Sequence, residues 1–220
     1  MYSNLYHTIR TNVSLWSVLI FIISALPSTG WAGEPTEQVR QSIESIRSVF
    51  RNKELSKPEN RKERNAQLRR IVEDRFDFEE MSKRSLGIHW KKRTPEEQKE
   101  FVSLYKDLLE DVYLRKLERH ESEIKEHVED RVVYLNERIE DSYALVQTQV
   151  ITKDGKEVRL DYRLLKRNGK WEVYDVYIEG VSLVNNYRKQ FSQIIRSGSY
   201  EELVKRLKEK KFKSPEEKSK

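Results

Sequence analysis

The sequence predicts an α+β fold in which helices pack on one face of a four-stranded antiparallel sheet. Before residue 120, apolar side chains recur at helical spacing, whereas residues 132–178 alternate apolar and polar side chains with the period of half-buried strands. Asp154-Gly155 and Asn168-Gly169 interrupt this second region, and both dipeptides favour the positive φ angles of tight hairpin turns. The chain therefore divides into a helical part, a sheet and a helical C-terminus.

Three helices are predicted first. Thr36–Phe50 carries apolar residues at i, i+4 and i+7, which form one face of an amphipathic helix. A second helix begins near Glu59, with Leu68, Ile71, Val72 and Phe76 directed inward, and its first turns are so charged that we expect them to be solvated. Asp77 is suited to cap a short third helix, which Leu86-Gly87 ends because glycine tolerates left-handed geometry.

A fourth, longer helix begins at Thr94-Pro95-Glu96-Glu97. A threonine cap, a proline in the first turn and a glutamate three residues after the cap together form a strong helix start. We expect this helix to end near His120. Its apolar stripe consists of Phe101, Leu104, Tyr105, Leu108, Val112 and Tyr113.

The sheet is predicted from four apolar or alternating runs, namely Val132–Leu135, Ala144–Val150, Val158–Leu164 and Trp171–Ile178. Because the runs are joined by short turns, they form a meander with one apolar face. Gly180 ends the last strand, and the space between the sheet and the helix that follows is either a solid core or a cavity.

Two helices are predicted after the sheet. Ser182 is suited to cap the first, which folds back across the sheet, and Ser199 with Glu202 offers a second capping box for the other. Residues 209–220 are mostly charged, and we expect them to be a frayed basic tail. The apolar stripe of the returning helix consists of Leu183, Val184, Tyr187, Phe191, Ile194 and Ile195.

Residues 1–32 have the pattern of an export signal. Arg10 is the only charged residue among them, Val13–Leu26 is almost wholly apolar, and Gly30 and Ala32 are suited to the −3 and −1 positions of a cleavage site. The alternative, a retained membrane anchor, is disfavoured because the apolar run is shorter than the roughly 20 residues that span a bilayer. We expect cleavage after Ala32, which leaves residues 33–220 as a single domain.

The charge and cysteine content restrict the classes of function. Removing residues 1–32 takes away one basic side chain and no acidic one, which lowers the formal net charge from +6 to +5. In an exported protein this excess favours anionic lipid headgroups or acidic protein partners over nucleic acid, although a solvated mixed-charge surface is an equal alternative. The sequence has no cysteine, which excludes disulfides, thiol catalysis and cysteine metal sites.

Few residues suggest chemistry. His120 and His127 could share a helix face and hold a metal, but their charged surroundings favour an exposed pair. Asp175 lies in an otherwise apolar strand, where a buried carboxyl could act as a general base. A structural role for Asp175, accepting hydrogen bonds at the end of the strand, is the favoured interpretation.

Two blocks of sequence resemble one known family. The run WEVYDVYIEGVSLVNNYRKQF, residues 171–191, closely resembles the signature of the MlaC family, the periplasmic phospholipid-binding carriers of Gram-negative bacteria, and Arg75–Leu117 resembles its central helical region. The resemblance implies a curved sheet wrapped by helices, related to NTF2-like folds. It also implies that acyl chains occupy the interior, where composition alone would favour a filled core.

The resemblance implies a soluble periplasmic carrier that moves phospholipid between the outer and inner membranes and maintains outer-membrane lipid asymmetry. The implied partners are an inner-membrane ABC transporter complex bearing an MCE-domain protein and an outer-membrane lipoprotein–porin complex, with no cofactor and no catalytic residue. The residues expected to contact lipid are Phe78, Met81, Phe101, Tyr105, Leu108, Val112, Ala144, Val146, Val150, Leu160, Tyr162, Leu164, Tyr187 and Phe191.

Two other functions stay open at this point. One is an enzyme built on an NTF2-like cavity, with Asp175 as its base. The other is an exported module with a filled core that only docks protein partners.

Overall fold

The computed structural model describes residues 34–119, 129–210 and 212, and for residues 114–119 it describes the backbone alone. The described residues form six α-helices, a five-stranded sheet and two short 3₁₀ helices, Pro58–Asn60 and Gly87–Lys92. The α-helices are α1 (Glu34–Arg51), α2 (Arg61–Arg75), α3 (Phe78–Leu86), α4 (Pro95–Arg119), α5 (Leu183–Ser197) and α6 (Tyr200–Lys208). None of these helices is both long and apolar enough to cross a membrane.

The sheet is an antiparallel meander in which every strand pairs with the next one along the chain. The prediction of four strands is corrected to five, because a short strand follows the four long ones. Glu179 and Gly180 both take positive φ angles, 50° and 78°, and this two-residue turn brings the chain back against the preceding strand. The strands are β1 (Arg131–Glu140), β2 (Tyr143–Ile151), β3 (Glu157–Arg167), β4 (Lys170–Ile178) and β5 (Val181–Ser182).

The hairpin between β3 and β4 has the predicted turn. Asn168 and Gly169 have φ angles of 49° and 80°, which confirms the expectation that both central positions are left-handed. Residues 152–156, which include Asp154-Gly155, join β2 to β3, and the pairing of these two strands places their alternate apolar residues on one face. Leu164 lies opposite Ala144, and Tyr162 lies opposite Val146.

Strand β4 contains a bulge. Val173 pairs with Leu164 and Asp175 pairs with Arg163, so Tyr174 is an extra residue without a partner on β3. Because of the bulge, the side chains of Tyr174 and Asp175 are both directed away from the face that carries Val173. The strand thus contributes side chains to two different parts of the interior.

The predicted helix caps are formed by hydrogen bonds. The Thr94 amide donates to Glu97 Oε2 over 2.8 Å, and the Glu97 amide donates to Thr94 Oγ1 over 3.2 Å, which completes the capping box of α4. Asp77 accepts from the amide of Glu80 over 2.8 Å at the start of α3. At the start of α6, Ser199 accepts from the amide of Glu202 over 3.3 Å.

Candidate functional site

A cavity of about 530 Å³ lies between the sheet and helices α1 to α4. Its volume is within the range of roughly 300–1,000 Å³ found for small-molecule sites. Most of its wall is apolar, with side chains from four helices, two long strands and the first residue of α5. The apolar lining consists of Val39, Ile43, Ile46, Phe50, Leu68, Val72, Phe76, Phe78, Met81, Leu109, Tyr113, Leu160, Tyr162, Val173, Val176, Ile178 and Leu183.

The periodicity of the elements explains how these side chains meet. Helix α1 directs Val39, Ile43, Ile46 and Phe50 to the cavity, which is the i, i+4, i+7 and i+11 face recognised in the sequence. Strand β3 contributes alternate residues, because successive side chains of a strand point to opposite sides. In β4 the bulge allows Val173 and Val176, three residues apart, to reach the same wall.

A buried arginine links three secondary-structure elements around the cavity by hydrogen bonds. Arg75, at the end of α2, donates from Nε to Ser42 Oγ over 2.8 Å, and its Nη1 donates to Gln38 Oε1 over 2.6 Å and to the Trp171 carbonyl over 3.1 Å. Burial lowers the pKa of Arg75 from its usual value. The guanidinium therefore joins α2 to α1 and β4 at the cavity wall.

Charged residues of the wall also connect α2 to α4. Arg69 donates from Nε to Glu110 Oε2 over 2.7 Å, and both residues line the cavity. Nearby, Lys106 Nζ lies 2.5 Å from Glu73 Oε1. Because the wall's charged groups are engaged with neighbouring protein groups, the surface offered to a ligand is mainly apolar.

The other part of the interior is packed with aromatic rings and is formed by α3, α4, α5 and α6. Phe101, Tyr105, Tyr187 and Phe191 are fully buried. The ring centre of Tyr105 lies 5.4 Å from that of Tyr187 and 5.5 Å from that of Phe191, both in edge-to-face geometry. Burial raises the pKa of Tyr105 well above its usual value. We call this region the aromatic cluster.

The fourteen residues that the sequence suggested for ligand contact lie in four different parts of the structure. Four of them line the cavity, namely Phe78, Met81, Leu160 and Tyr162. Val150 is half-buried near the end of β2, opposite Val158 of β3. Three others, Ala144, Val146 and Leu164, are buried between the sheet and α1. The remaining six pack in the interior around the aromatic cluster, namely Phe101, Tyr105, Leu108, Val112, Tyr187 and Phe191.

Sequence reasoning missed the contribution of α1 and α2 to the cavity. The apolar face of Thr36–Phe50 was recognised, but a helical period shows only that a face is covered and does not identify what covers it. On α2, Leu68 and Val72 line the cavity although the helix is highly charged overall. The helical spacing of these residues predicted that they face the interior, but it did not show that they face a cavity.

Asp175 is held in a structural network. Its Oδ2 accepts from Ser182 Oγ over 2.6 Å, and its Oδ1 accepts from the amide of Val184 over 3.0 Å. Ser182 also accepts from the amide of Asn185 and so caps α5. Burial raises the pKa of Asp175. With both oxygens engaged, the carboxylate fixes the start of α5 to β4, which supports the structural interpretation over the general base.

The suggested metal pair, His120 and His127, lies outside the described residues. Among the residues that the structure describes, no group of three or more histidine, aspartate or glutamate side chains is placed to hold a metal ion.

Known proteins resemble this chain in both fold and sequence. The fold is similar to that of the phospholipid-binding protein from Ralstonia solanacearum, whose structure was solved in complex with a phospholipid. The two share 25% sequence identity with a TM-score of 0.66, and the match covers 81% of this chain and 97% of the other. The model of the MlaC protein family matches residues 40–209. This match spans most of the sequence and both blocks that resembled the family, so the chain belongs to the MlaC family.

Proposed function

We propose that this protein is a soluble periplasmic carrier that holds a phospholipid by its acyl chains and moves it between the outer and inner membranes. The observation that carries the proposal is the apolar cavity between the sheet and helices α1 to α4. Membership of the MlaC family and the phospholipid held by the similar protein from Ralstonia solanacearum support the choice of ligand.

The energetics of lipid transfer explain the use of such a cavity. Moving two acyl chains with about thirty methylenes from a membrane into water would cost roughly 25 kcal/mol, at about 0.8 kcal/mol for each methylene. A cavity with apolar walls provides an environment similar to the membrane interior, so most of this cost is absent while the lipid is bound. Transfer through an aqueous compartment then becomes fast enough to be useful.

The same energetics limit how tightly the lipid is held. A carrier that bound lipid much more strongly than the membranes do would never release it. The mainly apolar wall fits this requirement, because apolar contacts in the cavity resemble those in the bilayer and add little preference for either. The partners, rather than the carrier, then determine the direction of transfer.

We infer the location and the partners from the membership of the MlaC family and from the sequence pattern of residues 1–32. Export through residues 1–32, with cleavage near Ala32, would remove none of the residues that the structure describes, because the first of these is Glu34. An inner-membrane ABC transporter complex with an MCE-domain protein and an outer-membrane lipoprotein–porin complex would load and unload the carrier. Such a cycle would maintain the lipid asymmetry of the outer membrane.

Native mass spectrometry of the processed chain, purified from a bacterial periplasm without detergent, tests the proposal. We expect a bound mass that matches a diacyl phospholipid. Val176→Trp should reduce the fraction of protein that carries lipid by about tenfold or more, because the larger indole side chain occupies part of the cavity that Val176 lines. Val181→Trp is the matched control, since Val181 is 53% exposed and lies on β5.

Two outcomes would overturn the proposal. One is a wild-type chain that is free of lipid and stays free after incubation with liposomes and a donor complex. The other is a folded Val176→Trp variant that carries as much lipid as the Val181→Trp control.

A further inference from the structure

An apolar side chain projects from a basic surface on the side of the molecule formed by α3, α5 and the 3₁₀ helix Gly87–Lys92. Ile88 is 79% exposed, the largest value among the exposed large hydrophobic side chains of the described residues. The residues beside it are anchored, since Leu86 is fully buried and Trp90 packs against the aromatic cluster. The exposure of Ile88 is therefore a fixed feature of a well-packed segment.

The backbone of this segment is held from several sides. Gly87 has a φ of 58°, which turns the chain sharply at the end of α3. The aliphatic part of Arg188 lies against Gly87, and its Nε donates to the Arg84 carbonyl over 2.8 Å. On the other side, Gln98 Nε2 donates to the Trp90 carbonyl over 3.2 Å. These contacts hold the backbone of the 3₁₀ helix Gly87–Lys92, which we call the projection, and Ile88 is its most exposed apolar side chain.

Basic side chains from two elements surround the projection. Lys91 and Lys92 lie in the same 3₁₀ helix as Ile88 and are exposed. Arg188 and Arg196 of α5 are exposed as well, and Arg188 contacts the projection at Gly87. Burial lowers the pKa of His89, and the charges of Lys92 on the 3₁₀ helix and Arg196 on α5 lower it further. We call Ile88, Lys91, Lys92, Arg188 and Arg196 the Ile88 surface.

We propose that the Ile88 surface binds the face of an anionic phospholipid bilayer. An exposed apolar side chain with cations nearby matches the layered structure of a membrane interface, where headgroup phosphates lie above the acyl region. The isoleucine would insert below the headgroups, and the lysines and arginines would remain among the phosphates. A protein partner of good complementarity would require a broad matched patch of about 800 Å² rather than one projecting side chain.

This inference adds to the carrier function a place at which the protein meets lipid surfaces directly. The Ile88 surface is built on the packed side of the molecule and includes no residue of the cavity wall. Binding to vesicles is therefore measured separately from the lipid held in the cavity, and either property can fail alone.

Co-sedimentation with vesicles tests the proposal. The processed chain is mixed at low salt with vesicles of phosphatidylcholine alone or with added phosphatidylglycerol. We expect binding only to the anionic vesicles, and a loss of binding as salt rises because exposed charges are screened. Lys91→Glu with Lys92→Glu should weaken binding by about 30-fold or more, given the contribution of each cation near an anionic surface.

Two further variants separate the apolar contact from general charge. Ile88→Ser should weaken binding by about tenfold, because an isoleucine side chain that would insert among the acyl chains is replaced by a polar one. Lys53→Glu with Lys62→Glu makes the same change of charge at exposed positions before and within α2, and should change binding by no more than about threefold because this part of the chain contributes no residue to the Ile88 surface. Circular dichroism checks that all variants are folded.

Several results would overturn the proposal. An equal loss in both charge-reversal pairs would show that only net charge matters. If Ile88→Ser bound anionic vesicles as tightly as the wild type, Ile88 would not insert into the bilayer. The observation that favours a bilayer over other partners would then be lost. Failure of the wild-type chain to bind anionic vesicles, while it binds an acidic protein through these lysines, would assign the surface to a protein partner.

Discussion

The aromatic cluster and the cavity wall are built from the same kinds of side chain, yet one is filled and the other encloses space. In the cluster, four rings from α4 and α5 are fully buried, and the pairs Phe101–Phe191 and Tyr105–Tyr187 contact edge to face. At the cavity, side chains of α1, α2 and the sheet border a space of about 530 Å³ that they do not fill. A wall that faces empty space forfeits the dispersion contacts that packed side chains make. The difference shows that packed rings fill one part of the interior, whereas the other part contains space that a ligand could occupy.

The largest expected effect tests the packed side. Phe191→Ala should lower the free energy of unfolding by about 3–5 kcal/mol, because it removes a fully buried ring from close contact with Phe101 and Tyr105. Urea unfolding monitored by circular dichroism measures the change. A loss below about 1 kcal/mol would mean that the cluster is loosely packed, and the contrast with the cavity would then disappear.

The next effect concerns the carboxylate between the two regions. Asp175→Ala should cost about 2–3 kcal/mol, because Ser182 and the Val184 amide both lose a charged acceptor and the cap of α5 is no longer oriented. The same unfolding experiment measures it. A fully stable Asp175→Ala variant would contradict the structural role and return attention to the general-base hypothesis.

The pH dependence of stability gives a smaller and more specific test of Asp175. Burial raises its pKa in the folded state above the usual value, so the folded protein binds the proton more readily than the unfolded chain does. Between the two pKa values, the stability of the wild type should therefore fall as the pH rises, relative to Asp175→Asn, which does not titrate. Parallel pH curves for the two proteins would show that the carboxyl is ionised as easily as in water.

The smallest expected effect tests the cavity wall. Val176→Ala should cost only about 1 kcal/mol, because the removed methyl groups face the cavity and have few protein partners on that side. The variant should also keep its bound lipid, since the space becomes larger. Thermal unfolding of lipid-free protein measures the first expectation. A loss as large as that of Phe191→Ala would show that the wall is packed when no ligand is present.

Much of the fold was predictable because local signals specify it. Asn168-Gly169 fixed one hairpin, and the reciprocal bonds of Thr94 and Glu97 formed where the sequence placed them. The short strand β5 was not predicted, because two residues are too few to show a period. The bulge at Tyr174 was also invisible, since an extra residue shifts the alternation that strand prediction depends on.

The location of the site was harder to predict than the fold. Tyr105 and Phe78 both lie on apolar helix faces, but only Phe78 lines the cavity. Periodicity shows which face of a helix is buried, and it carries no information about the distance to the opposite element. That distance is set by long-range contacts such as those of Arg75 with α1 and β4. For this reason the sequence predicted an interior but could not divide it into a core and a cavity.

The bulge at Tyr174 has a consequence for how the chain can change in length. Because Val173 and Asp175 already pair with consecutive residues of β3, deleting Tyr174 would leave the pairing of the whole strand intact. A deletion elsewhere in β4 can keep its pairing only if the bulge closes, whereas an insertion requires a second bulge. Strand β4 therefore carries one residue that can be lost without inverting its two faces.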